Sequence, residues 1–193
     1  MVICFKESSF PVRSPVWLNE EVYAQATAAL IFMCVDMVVV DKDPNRKTIF
    51  LAKRRRKPMS GTWWFIGGRR QAGEDIVSGA IRCFKREAGL ILNPNQLHHL
   101  AEFEYQFRDR EQKPQDVGTH TRADIFVVEL STKERELIRL DPEEYGGEKL
   151  CEFARDDLLA ATHLPIPLIE AYNLIFNEVR GLSADLRQQP LRF

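Results

Sequence analysis

The sequence predicts a single α/β domain, and three observations predict it. Residues 30–40, LIFMCVDMVVV, are a run of β-branched and large apolar side chains, the pattern of a strand buried on both faces. Between Asp75 and Gly89, the residues Val77, Ile81, Phe84 and Ala88 recur at steps of three and four, which draws a core-facing stripe on a helix. Residues 100–108, LAEFEYQFR, alternate so that Ala101, Phe103, Tyr105 and Phe107 share one side, as in a half-buried strand.

Taken in order, residues 1–17 hold Pro11 and Pro15 and read as an irregular leader. A short helix follows in LNEEVYAQATAAL, with Asn19 as its N-cap and Glu20 and Glu21 in its first turn, where negative charge suits the helix dipole. After the first strand, DKDPNRK has turn chemistry and leads into TIFLAKR, so these segments form a hairpin. TWWFIGG reads as one further strand ended by its glycines. Asp75 starts the central helix and Gly89 stops it. RDREQKPQDVGTH is a polar loop, and ADIFVVEL is the next strand. STKERELIRLDPEEYGGEK holds a short helix and a flexible loop, LCEFA a last strand, and RDDLLAA a turn of helix. From Pro165 to Arg180 a stripe of Ile169, Tyr172, Ile175, Phe176 and Val179 predicts a final helix, stopped at Gly181. No repeat, linker or low-complexity stretch divides the chain. It is one domain over 1–193, with leader and helix in 1–28 and a C-terminal helix and tail in 165–193.

Composition narrows the function classes. The net charge of -1 lacks the basic surplus of a general nucleic-acid binder, and no DNA-binding helix pair is evident. Positive charge is nevertheless concentrated in KRRRK, residues 53–57, and in Arg69 and Arg70. Cys4, Cys34, Cys83 and Cys151 are widely spaced, which suits reduced thiols better than a disulfide framework or a zinc site. No apolar run approaches the roughly 20 residues of a membrane span. The start MVICFKESSF lacks the features of a secretory signal, so a cytoplasmic location is expected.

The stretch GGRRQAGEDIVSGAIRCFKREAGLIL, residues 67–92, carries the chemistry. It resembles the Nudix box, G-x5-E-x7-R-E-U-x-E-E-x-G-U with U a bulky apolar residue. Gly68, Glu74, Arg82, Phe84, Glu87, Gly89 and Leu90 take their places over residues 68–90. Cys83 and Arg86 stand where two glutamates belong. The resemblance implies a mixed β-sheet sandwiched between helices (α/β/α) and a Mg2+-dependent hydrolase, with Mn2+ as the alternative ion. Loss of two box glutamates with retention of the last is similar to one branch, GDP-mannose mannosyl hydrolase. AKRRRKPMSGTWWFIGGRRQAGE, residues 52–74, can be laid on that branch without a gap, although Lys57 and Ile66 depart from it.

Roles follow by position. The resemblance implies Glu87 and a Gly67 backbone carbonyl as metal ligands, and Arg54 and Arg69 as the cations that stabilise a departing nucleoside diphosphate. Guanidinium forks suit that task because they match phosphate oxygens and stay charged at any working pH. Asp36 would contact the nucleotide sugar or orient an arginine; a buried structural salt bridge is the other reading. Glu74 and Arg82 would hold the loop against the helix, Cys83 would fill a vacated position, and one of Trp63 and Trp64 could stack on a base. Arg55, Arg56, Lys57 and Arg70 read as surface charge.

The family's general-base histidine and the metal-binding glutamine before it fall on Gly146 and Gly147, neither of which can serve. Glu143, Glu144 and Tyr145 stand beside them, and Glu144 is the candidate base, since a carboxylate can activate water. His120 could face the site, whereas His98, His99 and His163 look peripheral. The implied reaction is hydrolysis of a nucleoside diphosphate-sugar at the anomeric carbon. Attack at phosphorus, or a nucleotide-sugar sensor without turnover, are the alternatives. The resemblance also implies a homodimer; neither nucleic acid nor membrane is an expected partner.

Overall fold

The computed structural model describes residues 17–147, 149–161 and 165–176. The expected leader up to residue 16, His163, Val179 and the stop at Gly181 lie outside them. The strands are β1 (Phe32–Asp41), β2 (Ile49–Lys53), β3 (Trp63–Trp64), β4 (Ile66–Arg69), β5 (Leu97–Phe107), β6 (Thr119–Leu130) and β7 (Cys151–Phe153). The helices are α1 (Glu20–Ala29), α2 (Ile76–Ala88), α3 (Thr132–Glu136), α4 (Arg155–Ala160) and α5 (Ile166–Phe176).

β1 is the spine of a mixed sheet. Along one edge it runs parallel to β6, from Phe32 opposite Thr121 to Asp41 opposite Leu130. Its other edge is shared between two antiparallel partners: β4 takes Cys34 to Met37, and β2 takes Val39 and Val40. β3 and β7 extend the sheet beyond β2, and β5 pairs antiparallel with β6.

Strand side chains alternate between faces, so β1 feeds two cores. Val35, Met37 and Val39 pack with Ala80, Cys83 and Phe84 of α2. Val38 and Val40 pack with Phe65, Leu158 of α4, and Leu168 and Tyr172 of α5. The architecture is therefore helix, mixed sheet, helix, as the sequence led us to expect. Phe84 is fully buried, and its truncation to alanine would cost about 3–5 kcal/mol.

Local chemistry sets α2. The Asp75 side chain accepts the Ser78 N–H at 2.9 Å, and Gly89 closes the helix at φ 71°, a left-handed conformation that favours glycine. One expectation needs correcting. TWWFIGG is two strands, because β3 pairs with β2 while β4 crosses to β1. That switch of partner sets Gly67 and Gly68 beside Asp36 and Val35 in the middle of the sheet.

Candidate active site

β4 approaches β1 so closely that only glycine fits at residue 67. A Cβ there would overlap the Asp36 carboxylate and the Val35 carbonyl. On its other side Gly67 meets α2, where its N–H donates to Glu87 Oε2 over 3.3 Å. The glycine turn thus lies between two buried carboxylates, Asp36 and Glu87. Glu87 is fully engaged: the Tyr145 hydroxyl also donates to Oε2, and Arg86 Nη2 donates to Oε1. Gly67 and Glu87 are brought together as expected, although the contact between them runs through the glycine N–H.

A cleft of about 780 Å³ opens over this turn, room enough for a nucleotide-sized ligand. Arg54, Arg69, Arg70 and Arg86 line it, as do Asp36, Glu87 and Glu144. Arg69 is sandwiched between the rings of Tyr23 on α1 and Phe32 on β1, at 4.5 and 4.3 Å from their centroids. Burial pushes its pKa down to about 10, which leaves it charged at neutral pH. Its Nη1 is buried without a hydrogen-bond partner; so are Arg70 Nε and Thr119 Oγ1, and these residues line the same cleft. Tyr105 Oη is a fourth such atom on a lining residue. Buried polar atoms are nearly always satisfied, so four orphans on the residues of one cleft are the mark of a site built for a polar ligand.

The remaining site residues fall into place around them. Arg54 Nε donates to the Pro58 carbonyl at 3.0 Å, which holds the side chain at the cleft wall. Burial raises Asp36 to about 7, against the opposing pull of Arg54 and with a further push from Glu87. Glu144 is half-buried, 3.7 Å from Arg56, and its pKa is raised by burial and by Glu87. It lies on the loop whose next residue, Tyr145, reaches back to Glu87. Gly146 and Gly147 are exposed, and the Gly146 N–H is spent on the Lys53 carbonyl at 2.8 Å.

Glu74 and Arg82 form a two-pronged pair at 2.6 and 2.8 Å, and Arg82 Nη2 also donates to the Arg69 carbonyl at 2.9 Å. Cys83 is buried, and desolvation raises its thiol to about 11, so it is inert filling. Trp64 belongs to the aromatic core, edge-on to Tyr105, while Trp63 packs on Phe153. His120 bonds Glu104 at 2.8 Å and His99 bonds Asp124 at 3.2 Å. Arg70 departs from the surface role expected for it. It is half-buried, 3.5 Å from Asp124, and joins the cleft wall. The aromatic clamp of Tyr23 and Phe32, the Arg86–Glu87 pair and Thr119 were not read from the sequence.

By class the protein is a hydrolase. The model of the NUDIX domain matches residues 33–170, most of the chain, and the protein belongs to that family. Among solved structures, the chain is similar to a MutT NUDIX hydrolase from Burkholderia pseudomallei at 22% identity and TM-score 0.58, covering 76% of this chain and 98% of that one. A MutT protein from Methanosarcina mazei Go1 matches at 13% identity and TM-score 0.56, covering 76% and 93%. The NUDIX domain of Shewanella oneidensis NrtR, complexed with ADP ribose, matches at 14% identity and TM-score 0.52, covering 80% and 96%. At such identities the likeness is one of fold. A comparison with curated proteins returned no match.

Family members generally use a divalent ion such as Mg2+ or Mn2+. Such ions take several hard oxygen ligands. Here α2 supplies one carboxylate, Glu87, both of whose oxygens already accept bonds from protein groups, one of them a guanidinium. As it stands this donor set does not suit a dication. Among the described residues, no helix is long and apolar enough to cross a membrane.

Proposed function

We propose that the cleft binds a nucleoside diphosphate linked to a second group, a nucleotide sugar above all, and hydrolyses that linkage. The observation that carries this reading is the set of orphaned buried donors, Arg69 Nη1, Arg70 Nε and Thr119 Oγ1, on residues that line one cationic cleft. A diphosphate supplies the acceptors such donors need. The ADP ribose bound to the NrtR domain belongs to the same chemical class, a nucleoside diphosphate carrying a sugar.

In this reading Arg54 and Arg69 hold the diphosphate and take up the negative charge that grows as it departs. Preorganised donors of this kind stabilise a transition state because they need not reorient as the charge develops. Glu144 is the base that removes a proton from the attacking water. It lines the cleft, is half-buried, and its raised pKa brings it nearer to the range where a base works best. Asp36 orients Arg54 and the sugar. Water adds to the anomeric carbon, the carbon–oxygen bond breaks, and the nucleoside diphosphate leaves with the bonding electron pair.

Turnover of a panel of nucleoside diphosphates joined to a sugar through its anomeric carbon, GDP-mannose included, in 18O-labelled water tests this directly. Label in the sugar supports attack at carbon, and label in phosphate moves the attack to phosphorus. A Glu144→Gln variant as active as the parent removes Glu144 from its role.

A further inference from the structure

We propose that Arg86 takes the place of a divalent cation on Glu87, so that the cleft grips a diphosphate without a metal ion. The inference rests on the diphosphate reading above and concerns how that anion is held.

Four observations converge. At the box level, a pattern of three glutamates has become Cys83, Arg86 and Glu87, losing two negative charges and gaining one positive. At the atomic level, Glu87 Oε1 accepts from Arg86 Nη2, while Oε2 accepts from Tyr145 and Gly67. The space between the glycine turn and the carboxylate is filled. A Cβ on Gly68 would lie 2.8 Å from Arg86 Nη2 and 3.2 Å from both Glu87 Oε1 and Cys83 Sγ. Finally, the Glu87 side chain is only 4% exposed while that of Arg86 is 45% exposed. The guanidinium therefore presents one donor to the buried carboxylate and stands at the cleft with the rest of its fork.

The physics of the exchange is coherent. A buried carboxylate must be paired, and on a box helix with three glutamates a dication can do the pairing. With one glutamate left, a single guanidinium balances it charge for charge and still has donors for phosphate oxygens, which it can meet two at a time. The Arg69 and Arg70 orphans extend the same surface. A dication on Glu87 would have to displace Arg86 and would gain only one protein carboxylate in return.

Calorimetric titration of the full chain with ADP, and with inorganic pyrophosphate, separates the two possibilities. In EDTA both probes bind, and excess Mg2+, which itself chelates the probes, does not strengthen binding. Arg86→Gln weakens binding in EDTA by about tenfold or more, the loss of a charge-assisted contact. Mn2+ added to the wild-type protein without nucleotide keeps its free-ion electron paramagnetic resonance signal, whereas Arg86→Glu, with a carboxylate restored, quenches it. ADP binding that requires Mg2+, or tight Mn2+ binding by the wild-type protein, overturns the replacement while leaving the diphosphate site intact. Equal EDTA affinity in wild type and Arg86→Gln also overturns it. Failure of both probes to bind with or without Mg2+ overturns the diphosphate reading itself, and this inference with it.

Discussion

Two arginines stand one helical turn apart on α2, and they do opposite things with their carboxylates. Arg82 reaches back across the loop to Glu74 with both prongs and adds a bond to the Arg69 carbonyl. Its Nε and Nη2 are spent inside the protein, and their work is to lock a loop onto a helix. Arg86 meets its own neighbour Glu87 through one nitrogen, at the floor of the cleft. Adjacent residues on a helix do not ordinarily face each other. The glycine turn overhead, with no side chain at Gly68, gives the guanidinium room to fold over onto the next residue. The same residue type thus serves closure at one turn of the helix and an open site at the next.

That contrast can be broken or sharpened by experiment. The largest effect belongs to the open site. Glu144→Gln should lower turnover of a nucleotide sugar by about 10²–10⁴-fold, the usual weight of a general base, with ADP affinity and thermal midpoint retained. Next, Arg69→Ala should weaken ADP binding by about 10- to 100-fold, since a desolvated charged donor loses its ligand contact. A calorimetric titration measures this, and an unchanged affinity would take Arg69 out of the site. At the closed turn, Arg82→Gln should lower unfolding free energy by about 1–3 kcal/mol, because Glu74 is left half-buried with its pair gone. Urea denaturation shows it, and a loss of ADP affinity without a loss of stability would erase the distinction between the two arginines.

The smallest effect is one of pH. Asp36 holds its proton up to about 7 in the folded protein, against 3.8 in its unperturbed state. The native state then binds more protons than the unfolded chain between those values, so stability falls as pH rises from about 4 to 7. Asp36→Asn should flatten that part of the urea-midpoint profile.

Much of this was legible beforehand, for physical reasons. β1 announced itself because a strand buried on both faces must be apolar almost throughout, and α2 because its stripe sits between an aspartate cap and a glycine stop. The glycine–arginine turn and Glu87 were visible because backbone approach and charge burial restrict residue choice sharply. TWWFIGG was misread as one strand, since periodicity records alternation and is blind to a change of partner between Trp64 and Ile66. β5 also begins earlier than its alternation suggests, because the register shifts between His99 and Ala101 and spoils the pattern. The clamp on Arg69 was invisible for another reason. Tyr23 and Phe32 come from α1 and the start of β1, and ring faces that meet a cation only in space leave no spacing to read.

That clamp carries a consequence for how a ligand arrives. A guanidinium pressed between two aromatic planes has already given up much of its water while the cleft stands empty, and α1 helps keep it that way. Capture of an anion there needs little further stripping of the cation, so recognition begins with the docking of the first helix, well before any nucleotide comes near.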